Sequence, residues 1–190
     1  VSLFAYPHAP VQALLDAFAD GAAPVVAVIP EGPLALHVRY AFHCSGTHRL
    51  RKGSLELRFV PFVPQADYDK LLWACDVNFV RGEDSFVRAQ WAGRPFVWHI
   101  YPQDANAHLV KLDAFLNIYG DSLSAPAAQA VRGLWGAWNG AAGAPPVADA
   151  WRFFCHEIPA HLQRLQQWQT SLLRNGDVTG NLVQFCQKMI

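Results

Sequence analysis

Charge is scarce in this 190-residue sequence. Only 16% of residues are Asp, Glu, Lys or Arg, and fifteen acids balance fifteen bases for a formal net charge of zero. Such a chain carries no field that would gather nucleic acid or an anionic membrane. Long apolar runs are also missing. Hydrophobic residues make up 52% of the chain, yet no run approaches the ~20 residues that cross a bilayer. The opening VSLFAYPHAP has neither the basic leader nor the apolar stretch of a signal peptide. An initiator methionine is absent and the single methionine is Met189, so a piece of a longer protein is expected. The four cysteines, Cys44, Cys75, Cys155 and Cys186, are far apart and in apolar settings, which favours reduced core thiols over disulfides. No internal repeat is visible. What is present is enough apolar material for one sizeable core, and the expectation is a cytoplasmic α/β domain.

Strand and helix patterns alternate from the start. Residues 2–6 read as a short strand and 11–19 as a helix with Leu14, Leu15 and Phe18 on one face. Residues 25–29 form a second apolar strand, stopped by Pro30-Glu31-Gly32. Strand, helix and strand in this order call for a right-handed crossover and a parallel sheet. Residues 58–60 end another strand; Asp67 is the expected cap of a helix running to Trp73, and 77–80 is a buried strand. A tight turn at 81–85 leads into a helix over 86–92, with Gly93 as its C-cap and 96–100 as the next strand. Asp104 is the expected cap of a helix over 105–118. Another helix covers 127–138, and 140–149 (GAAGAPPVAD) is a flexible connector. A long helix bent near Pro159 spans 151–175, and a shorter one follows Asp177 over 178–190.

The segment 34–57 gives no clear assignment. Leu36, Val38 and Tyr40 alternate with His37 and Arg39, as a half-exposed element would. His37, His43, Cys44 and His48 match no familiar zinc spacing, and no metal site is expected there.

Loops that follow the strands of such a sheet lie at its carboxyl edge, where open α/β sheets bind ligands. In the turn at 81–85, Gly82 permits close backbone approach, and Asp84 or Ser85 is expected to cap the following helix. Its first-turn N–H groups and the positive end of its dipole suit a diphosphate. Arg81 can add a bidentate contact and Ser85 a hydroxyl. Glu83 and Asp84 suit sugar hydroxyls, or the orientation of Arg81. An ordinary capped turn accounts for the same spacing. Phe4 and Tyr6 share one side of the first strand end, either lining a crevice or filling the core. Pro61 and Pro64 stiffen a loop that presents Phe62 and Gln65; it can stack a base and bond its edge, or simply connect strand to helix.

One resemblance bears on these alternatives. The order turn, acidic residue, Ser85, helix, Gly93, Pro95, strand, Pro102-Gln103 looks like the donor-binding half of a GT-B glycosyltransferase. More closely, VRGEDSFVRAQWAGRPFVWHIYPQ, with PFVPQ upstream and SLFAY at the start, resembles the protein-arginine rhamnosyltransferase family (EarP), over nearly the whole chain and most densely between 58 and 116. The resemblance implies a Rossmann-like parallel sheet flanked by helices, the C-terminal half of a GT-B enzyme. It also implies a division into a nucleotide-sugar-binding domain at 1–150 and C-terminal helices at 151–190 that pack back toward an N-terminal domain.

In function, the resemblance implies transfer of rhamnose, with inversion, from dTDP-β-L-rhamnose to an arginine of translation elongation factor P. The donor contacts it implies are Phe4, Tyr6, Phe62, Gln65, Tyr68, Arg81, Glu83, Asp84, Ser85, Tyr101 and Gln103, with Phe62 and Gln65 at the thymine and Tyr101 and Gln103 near the diphosphate. It implies no metal and no cofactor besides the donor. The family's general base is an aspartate of the N-terminal domain, so no catalytic residue is expected in this chain. A GT-B donor domain for another nucleotide sugar and a non-catalytic α/β interaction domain are the rival readings.

Overall fold

The computed structural model describes residues 1–121 and 123–189. Its strands are β1 (Ser2–Leu3), β2 (Val25–Pro30), β3 (Arg49–Lys52), β4 (Leu55–Val60), β5 (Asn78–Arg81) and β6 (Phe96–His99). Its helices are α1 (Val11–Asp20), α2 (Pro33–Ala41), α3 (Gln65–Ala74), α4 (Asp84–Ala92), α5 (Ala107–Gly120), α6 (Ala125–Trp138), α7 (Val147–His156), α8 (Ile158–Arg174) and α9 (Val178–Lys188). The strands make one sheet in the order β3-β4-β2-β1-β5-β6. From β1 the chain moves outward through β2 and β4, then jumps back to lay β5 and β6 on the other side of β1. The strand order therefore reverses between β1 and β5, and helix-linked strands must be parallel for that to happen.

The expected parallel sheet holds for five strands and is corrected at one edge. β3 runs antiparallel to β4, pairing Arg49 with Arg58 and Lys52 with Leu55. A two-residue turn at Gly53-Ser54 joins them, and so short a link only makes a hairpin. Gly53 is required there: its φ is 53°, and a Cβ would lie 2.3 Å from the Ala19 carbonyl oxygen at the end of α1.

The unassigned segment 34–57 is thus α2 followed by this hairpin. Leu34, Ala35 and Val38 are the buried residues of α2, a helical spacing that five alternating residues did not reveal. Asp67 sits in the first turn of α3, but Pro64 holds the cap position and no side chain caps the helix. Asp104 opens a 3-10 turn, Asp104–Asn106, and the cap position of α5 belongs to Asn106. Asp177 does cap α9, accepting from the Gly180 N–H at 2.8 Å. The helix expected over 151–175 is two helices that meet at Glu157, with Pro159 in the first turn of α8, where its missing N–H costs nothing. α7 begins at Val147, inside the expected connector, and position 150/151 falls within it; Ala150, Trp151 and Phe154 are buried. Ile190, the last residue of the expected terminal helix, lies outside the described residues.

Aromatic rings fill both faces. Phe79 meets Trp138 at 4.7 Å, and Phe18 meets Trp151 at 4.8 Å. On the other face Phe86 stacks on Trp98 at 3.9 Å and Phe115 stacks on Trp135 at 5.6 Å. α6 lies along the β6 edge, sending Trp135 to one face and Trp138 to the other. All four cysteines are free; Cys44 and Cys75 are the expected core thiols, whereas Cys155 is half-buried and Cys186 exposed. α9 buries none of its residues, and Leu182, Val183 and Phe185 are exposed. Among the described residues no helix is long and apolar enough to cross a membrane.

Candidate functional site

A cleft of about 510 Å³ opens at the carboxyl ends of β1, β2, β4 and β5, astride the point where strand order reverses. That is where a doubly wound sheet separates adjacent loops and leaves a crevice. Phe4, Tyr6, Phe62, Gln65, Tyr68, Arg81, Glu83, Asp84 and Ser85 all line it. β1 delivers Phe4 and Tyr6 beside Arg81 because Leu3 pairs with Phe79 and the Phe4 N–H donates to the Phe79 carbonyl at 3.0 Å. Tyr101 and Gln103 do not line the cleft. Tyr101 stands at its rim, its ring 5.7 Å from Tyr6. Gln103 is exposed, and its backbone N–H donates to His108 Nδ1 at 3.2 Å.

Arg81 is the cation of the site. Its guanidinium lies over the Phe4 ring at 4.3 Å and the Tyr6 ring at 4.8 Å, so two π faces hold it in place. Among the described residues no carboxylate is within ion-pairing distance of it. The expectation that Glu83 or Asp84 orients Arg81 is therefore corrected. Asp84 turns to Arg88, one helical turn on, at 2.8 Å, and also accepts from Gln65 Nε2 at 3.3 Å. The Arg88 bond holds the Asp84 carboxyl below the usual carboxylate range.

The capping role expected of Asp84 or Ser85 is corrected as well. Glu83 occupies the cap position of α4, and no side chain bonds the first-turn N–H groups. The Ser85 hydroxyl instead closes the turn on itself, accepting from the Arg81 N–H at 3.0 Å and donating to the Arg81 carbonyl. Gly82 takes φ 64°, and a Cβ there would lie 3.3 Å from the Tyr6 hydroxyl. Trp98 Nε1 fixes the same turn by donating to the Gly82 carbonyl at 2.6 Å. Close backbone approach at Gly82 is thus built in.

The starts of α2 and α3 reach the same cleft through Gly32-Pro33 and Gln65, and neither helix carries a side-chain cap. Three helix N-termini without side-chain caps converge beside a guanidinium that has no ion-pair partner among the described residues, which favours an anion there, while Glu83 adds a carboxylate to the same wall. Glu31, also on the wall, is neutralised by a two-pronged pairing with Arg39 at 2.6 and 2.7 Å.

Phe62 is 74% exposed, so it presents its ring to the cleft and does not fill the core. Tyr68 is the reverse. It is 8% exposed, meets Phe4 edge-on at 5.8 Å, and among the described residues its hydroxyl has no partner of hydrogen-bond geometry, the nearby Ser85 hydroxyl being engaged with the Arg81 backbone. Burial raises its pKa, keeping the hydroxyl protonated and able to donate.

His99 was not anticipated. At the end of β6 it is buried, and its Nδ1 accepts from the Tyr6 backbone N–H at 3.2 Å. Burial, with His8 and Arg81 nearby, lowers its pKa to about 3, so it stays neutral and remains an acceptor. The wall formed by Glu31, Gly32 and Pro33 also went unread, although Gly before Pro is a helix-start signal. Among the described residues no cluster of His, Cys, Asp or Glu is arranged to hold a metal.

This organisation is that of a Rossmann-like unit of GT-B architecture. Comparison with known proteins narrows it. The family model for the elongation factor P (EF-P) rhamnosyltransferase EarP matches residues 1–187. A protein-arginine rhamnosyltransferase of Pseudomonas aeruginosa is 41% identical over 97% of this chain and 49% of its own length. The one from Shewanella oneidensis is 35% identical over 98% of this chain and 49% of its own. A solved structure, described as the basis for EarP-mediated arginine glycosylation of translation elongation factor EF-P, superposes with a TM-score of 0.85 at 37% identity, covering all of this chain and 60% of that one. The chain belongs to the EarP family, and it spans about half the length of the curated relatives it matches.

Proposed function

We propose that this chain is the donor-binding unit of a cytoplasmic glycosyltransferase that moves rhamnose from dTDP-β-L-rhamnose to an arginine of elongation factor P. The observation that carries the reading is the cleft at the strand-order reversal, where Arg81, without an ion-pair partner among the described residues, and three helix starts without side-chain caps meet. A diphosphate with one flanking base and one flanking sugar matches its chemistry. Phe62 offers a face for the thymine and the Gln65 amide a partner for its edge. Arg81 and the α4 N-terminus take the diphosphate, with Gly82 allowing its oxygens near the backbone. On this reading Tyr101 and Gln103 serve the diphosphate from the rim, and Glu83 serves the sugar hydroxyls.

As the anomeric bond breaks, negative charge grows on the departing diphosphate. Fixed donors in a cleft of reduced polarity stabilise that charge without reorganising, and the positive groups already present make a metal unnecessary in this scheme. The acceptor guanidinium is protonated in water, so its proton must be taken by a base. This reading assigns that base to the remainder of the enzyme, outside this chain.

A calorimetric and NMR titration of this chain with dTDP, dTDP-rhamnose and UDP tests the reading. Saturable dTDP binding with shifts at Phe62, Gln65 and 81–85 is the expected result, with UDP weaker. A preference for UDP would point to another nucleotide sugar. Silence toward every nucleotide, repeated in a protein of full family length, would overturn the assignment.

A further inference from the structure

β6 is the last strand of the sheet, so its outward backbone groups need partners from elsewhere. Three of them find side chains of α6 and its cap. The Phe96 carbonyl accepts from Trp135 Nε1 at 3.0 Å, the Trp98 carbonyl accepts from Asn139 Nδ2 at 2.7 Å, and the Ile100 N–H donates to Asn139 Oδ1 at 2.9 Å. A carboxamide is one peptide unit in miniature. By donating to residue 98 and accepting from residue 100, Asn139 stands where a seventh strand would continue the ladder. A second bond from Nδ2 to the Trp135 carbonyl, at 2.8 Å, ties the amide to the helix.

The backbone of Asn139 does not demand asparagine. Its φ is −102°, which most residues adopt, and the left-handed position after the helix falls to Gly140. What demands the amide is β6. Two residues beyond Ile100 the chain passes through Pro102, and Gln103 is anchored by its N–H to His108 Nδ1 at 3.2 Å. Tyr101 therefore hangs between two fixed points. Tyr101 is 62% exposed and meets Tyr6 edge-on, so little packing holds it and the backbone anchors on either side fix where its Cα stands.

We infer that Asn139 is a positioning residue: it aims the Tyr101 hydroxyl at the donor diphosphate by holding the end of β6. The inference rests on the donor-binding reading above. Its test is a double-mutant cycle in a protein of full family length, with dTDP and thymidine titrated into Tyr101→Phe, Asn139→Ala and the double variant. Each single change is expected to weaken dTDP about tenfold, one hydrogen bond to a charged group. The double variant should bind no more weakly than the weaker single one, because both remove the same contact, and thymidine affinity should not move. Asn139→Asp keeps the acceptor for the Ile100 N–H but sets a carboxylate oxygen against the Trp98 and Trp135 carbonyls, so it should weaken dTDP as Asn139→Ala does while leaving thymidine affinity in place, a split that a purely structural role would not produce.

Multiplicative losses in the double variant, or equal losses of dTDP and thymidine, overturn the inference. A silent Tyr101→Phe removes both the inference and the diphosphate role of Tyr101, while Arg81 variants report separately on the cleft as a donor site. Should Asn139→Ala not fold, Asn139→Ser, too short to reach both strand groups, takes its place in the cycle.

Discussion

Replacing Arg81 by alanine separates two roles that one side chain performs. In the free protein the guanidinium rests on Phe4 at 4.3 Å and Tyr6 at 4.8 Å. Cation–π contacts of this partly exposed kind contribute about 0.5–1 kcal/mol each, so the variant should lose about 1–2 kcal/mol. For a chain of this size that corresponds to a fall in Tm of roughly 5 °C, and the fold should survive. The functional loss is expected to be larger. A planar fork facing a diphosphate makes two charge-assisted hydrogen bonds of about 1.5–3 kcal/mol each. Water recovers part of that, leaving about 3 kcal/mol, on the order of a hundredfold in Kd.

Lysine at the same position retains the charge without the fork, and about tenfold is the expected loss. Titration calorimetry with dTDP, with thymidine as the control that lacks the diphosphate, reads the difference directly. A variant that stays folded and binds dTDP within twofold of the parent would refute the reasoning. Equal weakening of dTDP and thymidine would show that Arg81 serves only to hold the two aromatic rings.

Tyr68→Phe should raise the Tm of the ligand-free protein by a few degrees, because it removes a buried hydroxyl without a partner among the described residues, worth about 1 kcal/mol. The same change should weaken dTDP several-fold; a fall in Tm on thermal melting would mean that the hydroxyl is already satisfied. Glu56 accepts from Arg49 and Arg58 at 2.6 Å and from Arg51 at 2.8 Å, which lowers its pKa from 4.5 to about 2. Since its folded pKa is depressed, its contribution is complete above pH 4.5 and vanishes as pH falls toward 2. Glu56→Gln should therefore be less stable than the parent at pH 7 and converge with it near pH 2, and parallel denaturation curves across that range would contradict the ion-pair geometry.

What the sequence disclosed depended on how local each feature is. The strands at 25–30, 78–81 and 96–99 are short apolar runs between turn signals, and they form where their composition places them. Gly93 adopts φ 67°, the left-handed C-cap that a glycine after a helix announces. α2 was illegible because five residues of Leu, His, Val, Arg and Tyr fit a half-buried strand as well as a helix. Only the burial of Leu34 and Val38 four residues apart decides between them. The pairing of Asp84 with Arg88 at helical spacing was within reach of the sequence. The aromatic bracket around Arg81 was not. It joins positions 77 and 75 residues apart, and it exists only because β1 inserts between β2 and β5. Asn139 and His99 act on backbone groups, and a sequence carries no direct sign of which backbone group a side chain will meet.

The cleft is also where the molecule has given up local stability. Missing caps are not diagnostic alone, since α1, α7 and α8 lack side-chain caps too. What distinguishes α2, α3 and α4 is that their uncapped starts face one another across the same crevice, beside a buried hydroxyl and a cation that have no hydrogen-bond and no ion-pair partner, respectively, among the described residues. Each missing cap forgoes about 1 kcal/mol, and the orphan hydroxyl costs about as much again. On the donor-binding proposal, an anionic ligand relieves these together, its oxygens accepting from the free N–H groups and from Tyr68 while neutralising Arg81. Ligand at a thousand times its Kd stabilises a protein by about 4.1 kcal/mol, comparable to the stability forgone. The groups left unsatisfied in the free protein are, on the same proposal, the ones that contribute binding energy in the occupied one. If the cleft is the donor site proposed above, replacing its residues by more stabilising ones should raise Tm and weaken dTDP, whereas the same exchange in the core should leave dTDP affinity unchanged.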